Sequence, residues 1–370
     1  MRSSLSRRSF LASSMSVPVF LASLSSARSD EMTADQRKAV RKGLDWLSKN
    51  QAKDGHWEAA PNGQYPVTMT GVSGMAMLME GSTIREGRYK DNIRRAVDWL
   101  MGHSMPNGML GNPNIPGEAG RYMYGHGFAT LFLSCVVGEE EEGDRRRRLV
   151  DILERACKFS HAAQTSRGGW GYISAREGGN FDEGSVTITQ VQALRAARNA
   201  GIAVPQEAIK MAQKYLKDST DASGGVVYSL GNGVAMGGGR PALTAEAISC
   251  GFSFGDYNSE LVKKWFKFCQ QHLQGIGGGM RMGHDEYTHY YYAQAVYMLG
   301  EDGYARLFPT SKASERLTWS GYKKDNFAGI ISSQSSDGSW SGGHVGAAFI
   351  TPVYLTILQL DNAALPIYQR

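Results

Sequence analysis

The sequence predicts an all-α protein built from six helical hairpins in one domain. A glutamine–glycine–tryptophan motif recurs along the chain, and amphipathic helical segments alternate with segments that are almost wholly apolar. This alternation is expected where an outer layer of helices covers an inner layer. The composition agrees with a globular protein, because 42% of the residues are hydrophobic and 20% are charged.

The motif Gln-x-x-x-Gly-x-Trp identifies the six units. It occurs in full at residues 51–57, 164–170 and 334–340, and with methionine in place of tryptophan at 274–280. Two weaker copies lie at Gly108-Met109 and at Gly224-Gly225-Val226. The copies end at Trp57, Met109, Trp170, Val226, Met280 and Trp340, which are 52 to 61 residues apart. Such even spacing is the signature of a repeat architecture.

Each unit contributes one outer and one inner helix. The outer helices are predicted near residues 33–51, 89–102, 144–164, 205–219, 257–273 and 319–333. They are amphipathic, as the stripe of Ala39, Val40, Leu44 and Leu47 illustrates. The inner helices are predicted near residues 67–80, 123–138, 185–200, 241–254, 286–299 and 344–360. The third inner helix is expected to begin with Ser185 as its N-cap and to stop at Gly201.

The repeat resembles that of squalene/hopene cyclases and of protein prenyltransferase β subunits, over roughly residues 33–360. The resemblance implies an (α/α)6 toroid of six helical-hairpin repeats, formed as a single domain by residues 28–370. In such a toroid the loop after each motif leads to the start of an inner helix. The six starts therefore meet at one mouth of a central cavity. Unrelated functions share such scaffolds, so the function must be inferred from the residues at that mouth.

Polar side chains are concentrated at the starts of the inner helices, although these helices are otherwise apolar. This placement makes them the candidate site. The predicted catalytic residues are Asp182, Glu183, His126 and His289. The predicted substrate-binding residues are Tyr124, Gln190, Arg240, Glu246, Tyr287, Tyr292 and His344.

Two segments depart from the patterns of the families that the repeat resembles. Asp182-Glu183 lies where the cyclases carry Asp-x-Asp-Asp-Thr, and the alternative role for this pair is to cap the following helix. His289 is displaced by one position from the zinc-binding histidine of the prenyltransferases, and their Asp-x-Cys has no counterpart. A shift of one residue turns a helical side chain by about 100°. We therefore expect no metal or cofactor, and interpret residues 287–292 as an aromatic wall.

Three functions remain open at this point. The first is an enzyme of the cyclase and prenyltransferase type, acting on an apolar isoprenoid-like or glycan ligand in the central cavity. The second is a polysaccharide lyase-like enzyme, in which tyrosine or histidine acts as the base and arginine neutralises a uronate. The third is a non-catalytic toroid that binds protein, lipid or glycan. An enzyme requires polar groups with shifted pKa values around an open cavity, whereas a scaffold would have an apolar centre.

Residues 1–27 are expected to be a twin-arginine signal peptide rather than part of the fold. Ser6-Arg7-Arg8-Ser9-Phe10 precedes a mildly apolar segment, and small residues end at Ala27. The expected location is the periplasm or the cell exterior, where prenyl diphosphates are absent. Cleavage would lower the net charge from +5 to +2, so we expect no nucleic-acid partner. No apolar stretch after the signal is long enough to predict a transmembrane helix.

Overall fold

The computed structural model of the chain describes residues 32–60, 63–115, 117–231, 237–273, 285–343 and 345–369. The helices are numbered in chain order. Among the described residues, the outer helices are α1 (Ala34–Lys49), α3 (Lys90–Gly102), α5 (Gly143–Ala163), α7 (Gln206–Asp218), α9 (Glu260–His272) and α12 (Trp319–Ser332). The inner helices are α2 (Pro66–Met79), α4 (Tyr122–Val136), α6 (Gly184–Asn199), α8 (Pro241–Phe254), α10 (Asp285–Leu299) and α13 (Ala347–Leu358).

The inner helices form a closed ring. Each packs on the next in the order α2, α4, α6, α8, α10 and α13, and α13 packs back on α2. The outer helices pack around this ring, and α11 (Gly303–Leu307) is a short helix between α10 and α12. The described residues contain isolated β-bridges but no β-strand. The predicted all-α toroid of paired helices is therefore confirmed.

The two rings differ in burial as their sequences predict. Helix α1 starts at the N-cap Thr33, whose hydroxyl accepts a hydrogen bond from the backbone N–H of Gln36, and it buries one apolar stripe. Helix α2 has all of its 14 residues buried. A helix covered on every side must be apolar around its whole circumference, which is what distinguishes the inner helices. In the part of the chain that the structure describes, no helix is both long and apolar enough to cross a membrane.

The start of α6 differs from the prediction. The helix begins at Gly184 and its N-cap is Glu183, whose carboxylate accepts from the backbone N–H of Val186 at 3.1 Å. The predicted N-cap, Ser185, is therefore wrong, because the longer Glu183 side chain already satisfies this N–H. The end was predicted correctly: Gly201 follows the C-cap Ala200 in the left-handed conformation, with φ of 82°.

The motif joins three helices through hydrogen bonds. The Gln164 amide donates to the carbonyl of Gly168 at 2.7 Å and to that of Ala208 in α7 at 2.9 Å. The Trp170 indole donates to the carbonyl of Ser160 in α5 at 2.7 Å. The backbone N–H of Trp170 donates to the hydroxyl of Thr187 in α6 at 3.1 Å. The motif thus joins one outer helix to the next outer helix and to its own inner helix.

The other full copies make the same bonds. Gln334 donates to Gly338 and to the Ala39 carbonyl of α1, so the last unit is joined to the first. The glycine is required as well: Gly168 has φ of 97°, and a Cβ there would lie 2.1 Å from the Met211 carbonyl oxygen. Only glycine adopts this conformation without strain and allows so close an approach. The copy at 274–280 lies outside the described residues.

The chain after α13 covers the C-terminal ends of the inner helices. Gln359 and Asn362 donate to the carbonyls of Ala76 and Met79 at the end of α2, at 3.0 and 2.9 Å. Tyr368 is 1% exposed, and its hydroxyl lies 3.3 Å from that of Tyr290 in α10. A cavity of about 360 Å³ remains between this segment and the ends of α2, α4 and α6. The opposite mouth, at the starts of the inner helices, holds the candidate site.

Candidate active site

Four of the predicted site residues meet inside the ring. Glu183 precedes α6, Glu246 lies in the second turn of α8, and Tyr124 and Tyr287 lie in the first turns of α4 and α10. The Tyr124 hydroxyl is 3.4 Å from Glu183 Oε2. The Tyr287 hydroxyl donates to the carbonyl of Ser185 at 2.8 Å, across the ring. Burial and the nearby titratable groups, Glu246 among them, raise the pKa of both tyrosines well above the usual range.

Glu183 is a buried carboxyl group that receives several hydrogen bonds. Its Oε2 accepts from the Val186 backbone N–H, from the Ser185 hydroxyl and from Tyr124. The side chain is 2% exposed. Burial raises the pKa of Glu183, and these donors oppose the increase. The donors therefore favour the ionised form of Glu183.

Glu246 lies close by in the opposite environment. It is also 2% exposed, but among the described residues neither of its carboxyl oxygens has a hydrogen-bond partner. Burial, followed by the charge of Glu183, raises its pKa well above the usual range. A buried carboxyl group without donors holds its proton, because the charged form has nothing to replace water. Its surroundings therefore favour the protonated form of Glu246.

Tyr291 is part of this site and was not among the predicted site residues. It is fully buried, its ring packs against that of Tyr287 at 5.1 Å, and its hydroxyl has no partner among the described residues. Burial, Tyr290 and Glu246 raise its pKa well above the usual range. Tyr291 follows Tyr287 by four residues and so shares its helical face, which was the signal that could have included it.

Aromatic residues extend from Tyr124 toward the surface. The rings of Tyr124 and Tyr172 are 5.9 Å apart, those of Tyr172 and Phe181 are 6.1 Å apart, and those of Phe181 and Tyr228 are 6.3 Å apart. We call Tyr172, Phe181 and Tyr228 the aromatic rim. All three are partly exposed, as are Tyr124, Ser185 and Tyr287. The rim residues lie in loops that precede α6 and α8, where single side chains carry no periodic signal.

Arginines complete this mouth. The guanidinium carbon of Arg240, at the start of α8, lies 4.4 Å from the centre of the Tyr228 ring. That of Arg121, at the start of α4, lies 5.0 Å from the centre of the Tyr172 ring. Both arginines are exposed. The predicted residue Arg240 is thus at the rim, whereas Arg121 was missed.

Asp182 points away from its neighbour Glu183. Its Oδ1 accepts from the Tyr215 hydroxyl of α7 at 3.0 Å, the Ser229 hydroxyl at 3.1 Å and the Leu230 backbone N–H at 2.8 Å. These contacts lie between the rings and attach the loop before α8 to α7. Asp182 therefore neither caps α6 nor joins the central carboxyl groups.

His126 also faces the outer ring. The backbone N–H of Leu110 donates to Nδ1 at 3.1 Å, so Nε2–H donates to the Ser160 hydroxyl of α5 at 2.9 Å. Ser160 in turn donates to the Gln190 amide oxygen at 3.1 Å. Burial lowers the pKa of His126 to about 4. His126 and Gln190 thus connect the rings and do not line the central site.

His289 and Tyr292 likewise lie between α10 and α12. His289 Nδ1 is 3.0 Å from the Tyr322 hydroxyl, and the Tyr292 ring packs edge-on against both His289 and Tyr322. His289 and Tyr292 therefore lie on a different face of α10 from Tyr287 and Tyr291, as their spacing along the helix requires. The remaining predicted residue, His344, lies outside the described residues.

One buried acid near the same mouth was not among the predicted site residues. Glu118 is 1% exposed and accepts from the Val67 backbone N–H at the start of α2, at 2.8 Å. Burial raises its pKa to about 7. Its place in a loop of glycine and proline gave no signal. Among the described residues, no three histidine, cysteine or acidic side chains are grouped so as to hold a metal ion.

Comparison with known proteins identifies the scaffold. The chain is similar to an inactive variant of the α-1,6-mannanase GH76A of Salegentibacter sp. HEL1_6 in complex with α-1,6-mannotriose, with a TM-score of 0.62 and 9% identity over 89% of this chain and 99% of that one. It is similar to the type II terpene cyclase MstE of Scytonema, with a TM-score of 0.53 and 12% identity over 90% of this chain and 100% of that one.

A glycosidase variant is similar too, with a TM-score of 0.55 and 12% identity over 90% of this chain and 98% of that one. No protein-family profile and no curated protein matches the sequence. At these identities the likenesses establish the fold, which glycan-acting and terpene-cyclising enzymes share. Function must come from the site itself.

Proposed function

We propose that this protein is a glycan-acting hydrolase, with Glu246 as general acid and Glu183 as its ionised partner. The observation that carries the proposal is the contrast between the two carboxyl groups. Glu183 receives three hydrogen bonds and Glu246 receives none from the described residues. Environments that push the pKa values of two acids apart are the usual way to assign an acid and a base.

The chemistry of glycoside cleavage requires this pair. A protonated carboxyl group donates its proton to the glycosidic oxygen, and a carboxylate acts as base or nucleophile at the sugar carbon. Glu246 supplies the proton, and Glu183 supplies the negative charge that stabilises the developing oxocarbenium ion. The partly exposed tyrosines above them provide apolar ring faces and hydroxyl groups, both of which sugars use.

The same pair argues against terpene cyclisation. Protonating an alkene demands a strong acid, whereas burial makes Glu246 a weak one by raising its pKa. A glycosidic oxygen is a far better proton acceptor than an alkene. We therefore infer that the resemblance to cyclases and prenyltransferases concerns the repeat and the scaffold. Support also comes from the mannanase, whose inactive variant has two adjacent aspartates replaced and binds mannotriose.

Substitution of the two acids tests the proposal. Glu246→Gln and Glu183→Gln should each lower the rate of oligosaccharide hydrolysis about 10²- to 10⁴-fold, the usual contribution of an acid or base. Glu246→Gln should leave thermal stability unchanged, because one neutral group replaces another of the same shape. Glu177→Gln is the matched control, since Glu177 is exposed and binds the Tyr122 hydroxyl.

The assay would measure the reducing ends that the purified protein releases from α-1,6-linked manno-oligosaccharides and from a panel of other polysaccharides. Activity that survives both substitutions would refute the assigned roles. A folded wild-type protein that binds a glycan without cleaving any member of the panel would instead support the non-catalytic alternative.

We also propose export through the twin-arginine pathway. The support is the Arg7-Arg8 pair with its flanking Ser6 and Phe10, followed by small residues up to Ala27. Replacing Arg7 and Arg8 by lysine should retain the protein in the cytoplasm, as fractionation and immunoblotting would show. Unchanged export of the Lys-Lys variant would contradict the proposal.

A further inference from the structure

The arginines of the mouth form an organised pair. Arg121 lies on the ring of Tyr172 and Arg240 lies on the ring of Tyr228, and the hydroxyl groups of these two tyrosines are hydrogen-bonded to each other. The two guanidinium groups are therefore held on adjacent aromatic supports. They lie at the starts of different inner helices, so the pair forms only when α4 and α8 are both packed on α6.

The described residues neutralise neither guanidinium group. Among the described residues, no carboxylate forms an ion pair with Arg121 or Arg240, and no side-chain hydrogen bond involves their guanidinium nitrogens. Arg88, by contrast, is paired with Asp45 at 3.1 Å. A guanidinium group that stacks on a ring keeps its N–H donors in its own plane. Those donors remain available to a planar or tetrahedral anion.

The other charges near the mouth do not replace such a partner. Glu183 is occupied by its own donors, and the burial of Glu246 favours its uncharged form. Glu177 accepts from the Tyr122 hydroxyl at 2.8 Å, and the exposed Arg176 adds a further positive charge. The described part of the mouth thus presents unpaired positive charge above a hydrolytic carboxyl pair.

We propose that the substrate is an anionic glycan, and that Arg121 and Arg240 bind its carboxylate or sulfate groups while the sugar rings pack on Tyr172 and Tyr228. The proposal rests on the hydrolase function for the enzymatic outcome, but the binding site can be tested without it. In this arrangement each tyrosine contacts a sugar ring while the arginine beside it binds the anionic group, which explains why the arginines lie against tyrosines.

The test compares each glycan with its neutral form. Polygalacturonate is paired with its methyl ester, and a sulfated fucan with the same polymer after desulfation. Binding is measured by affinity electrophoresis at low and at physiological salt, using Glu246→Gln protein so that cleavage does not interfere. One acidic polymer should bind at least about tenfold more tightly than its neutral partner, as expected for two ion pairs of about fivefold each.

Variants locate the effect. The double variant Arg121→Gln/Arg240→Gln should lose this preference and bind both forms alike, while Arg121→Lys/Arg240→Lys should keep part of it. Arg146→Gln, at an exposed position of α5, is the control and should behave as the parent. Tighter binding of polygalacturonate than of its methyl ester would identify carboxylate as the bound group. Tighter binding of the sulfated fucan than of its desulfated form would identify sulfate.

The outcomes separate the two proposals. Equal binding of acidic and neutral forms in both arms would overturn the anionic-glycan proposal, as would an equal loss of preference in Arg146→Gln. Cleavage of a neutral glycan without acidic preference would leave the hydrolase function standing. Acidic preference without cleavage of any polymer by the wild-type protein would leave the binding site standing and refute the hydrolase function.

Discussion

Buried polar groups between the inner and outer rings of helices differ from those inside the bore, the space that the inner ring encloses. Between the rings each of these side chains is bonded: the Gln164 amide donates twice, the Trp170 indole donates once, and both nitrogens of His126 are used, although Gln164 Oε1 and Asp182 Oδ2 have no partner among the described residues. Inside the bore, the Glu246 carboxyl group and the Tyr291 hydroxyl have no partner among the described residues.

This difference separates stability from function. A buried polar group without a partner costs about 1–3 kcal/mol, so a sequence under no other demand would replace it with an apolar residue. In the layer between the rings, Gln164, Trp170, His126 and Asp182 each make at least one hydrogen bond that joins two helices or a helix and a loop. In the bore, the polar atoms of Glu246 and the hydroxyl of Tyr291 make none with the described residues, and a bound substrate or water would supply the missing partners.

The largest effect on stability is expected in the layer between the rings. Trp170→Ala removes a fully buried ring and its hydrogen bond to Ser160, and should lower the free energy of unfolding by about 3–5 kcal/mol. Trp340→Ala should have a similar effect, because Trp340 makes the same bond to the Ile330 carbonyl at 2.7 Å. Urea denaturation followed by circular dichroism would measure both.

The control for these variants is Tyr257→Ala. Tyr257 is 46% exposed, so this change should alter the free energy of unfolding by less than about 0.5 kcal/mol. If the tryptophan variants were no less stable than this control, the motif would not join the rings as described.

A smaller, pH-dependent effect is expected at His126. Its pKa is about 4 in the folded protein because it is buried, against about 6.5 when unfolded. As the pH falls below 6.5, the unfolded chain gains a proton that the folded protein does not. Stability is therefore present above pH 6.5 and is lost down to about pH 4, by about 3 kcal/mol in all.

The measurement is the free energy of unfolding from pH 7.5 to pH 4 for the wild type and for His126→Gln. Other titrating groups, such as Glu118, contribute to both proteins, so the difference isolates His126. Loss of activity in His126→Gln with an unchanged pH slope would instead restore the predicted catalytic role.

The scaffold was predictable because each repeat uses the same residues to form the same turn and the same hydrogen bonds. Glycine is needed where the turn approaches the next outer helix, as at Gly168, and glutamine and tryptophan are needed to reach fixed carbonyl groups. These requirements appear in the sequence as spacing. Helix bounds were predicted within three residues for the same reason, and at α6 only the N-cap residue was wrong, because Glu183 and Ser185 are both able to cap this helix.

The site was only partly predictable, because position along a helix does not give the direction of a side chain. Glu183, Glu246, Tyr124 and Tyr287 face the bore, but Asp182, His126, Gln190, His289 and Tyr292 lie at similar depths and face the outer ring. The structure shows why His126 is structural. It accepts from the backbone N–H of Leu110, two residues after Gly108, and the residues that accept from the equivalent N–H in other repeats are Thr70, Thr187, Thr244 and Thr351.

Two tyrosines give the most direct test of the contrast between the layers. The Tyr215 hydroxyl, between the rings, donates to Asp182 at 3.0 Å, whereas the Tyr291 hydroxyl, in the bore, has no described partner. Tyr215→Phe should lower the free energy of unfolding by about 1–2 kcal/mol because a buried acceptor loses a donor. Tyr291→Phe should change it by less than about 0.5 kcal/mol or raise it, because an unpaired hydroxyl is removed. Since both changes delete one oxygen from a fully buried ring, urea denaturation of the two variants compares the layers directly. Equal losses of stability would mean that Tyr291 is paired in solution and that the bore is as fully satisfied as the layer between the rings.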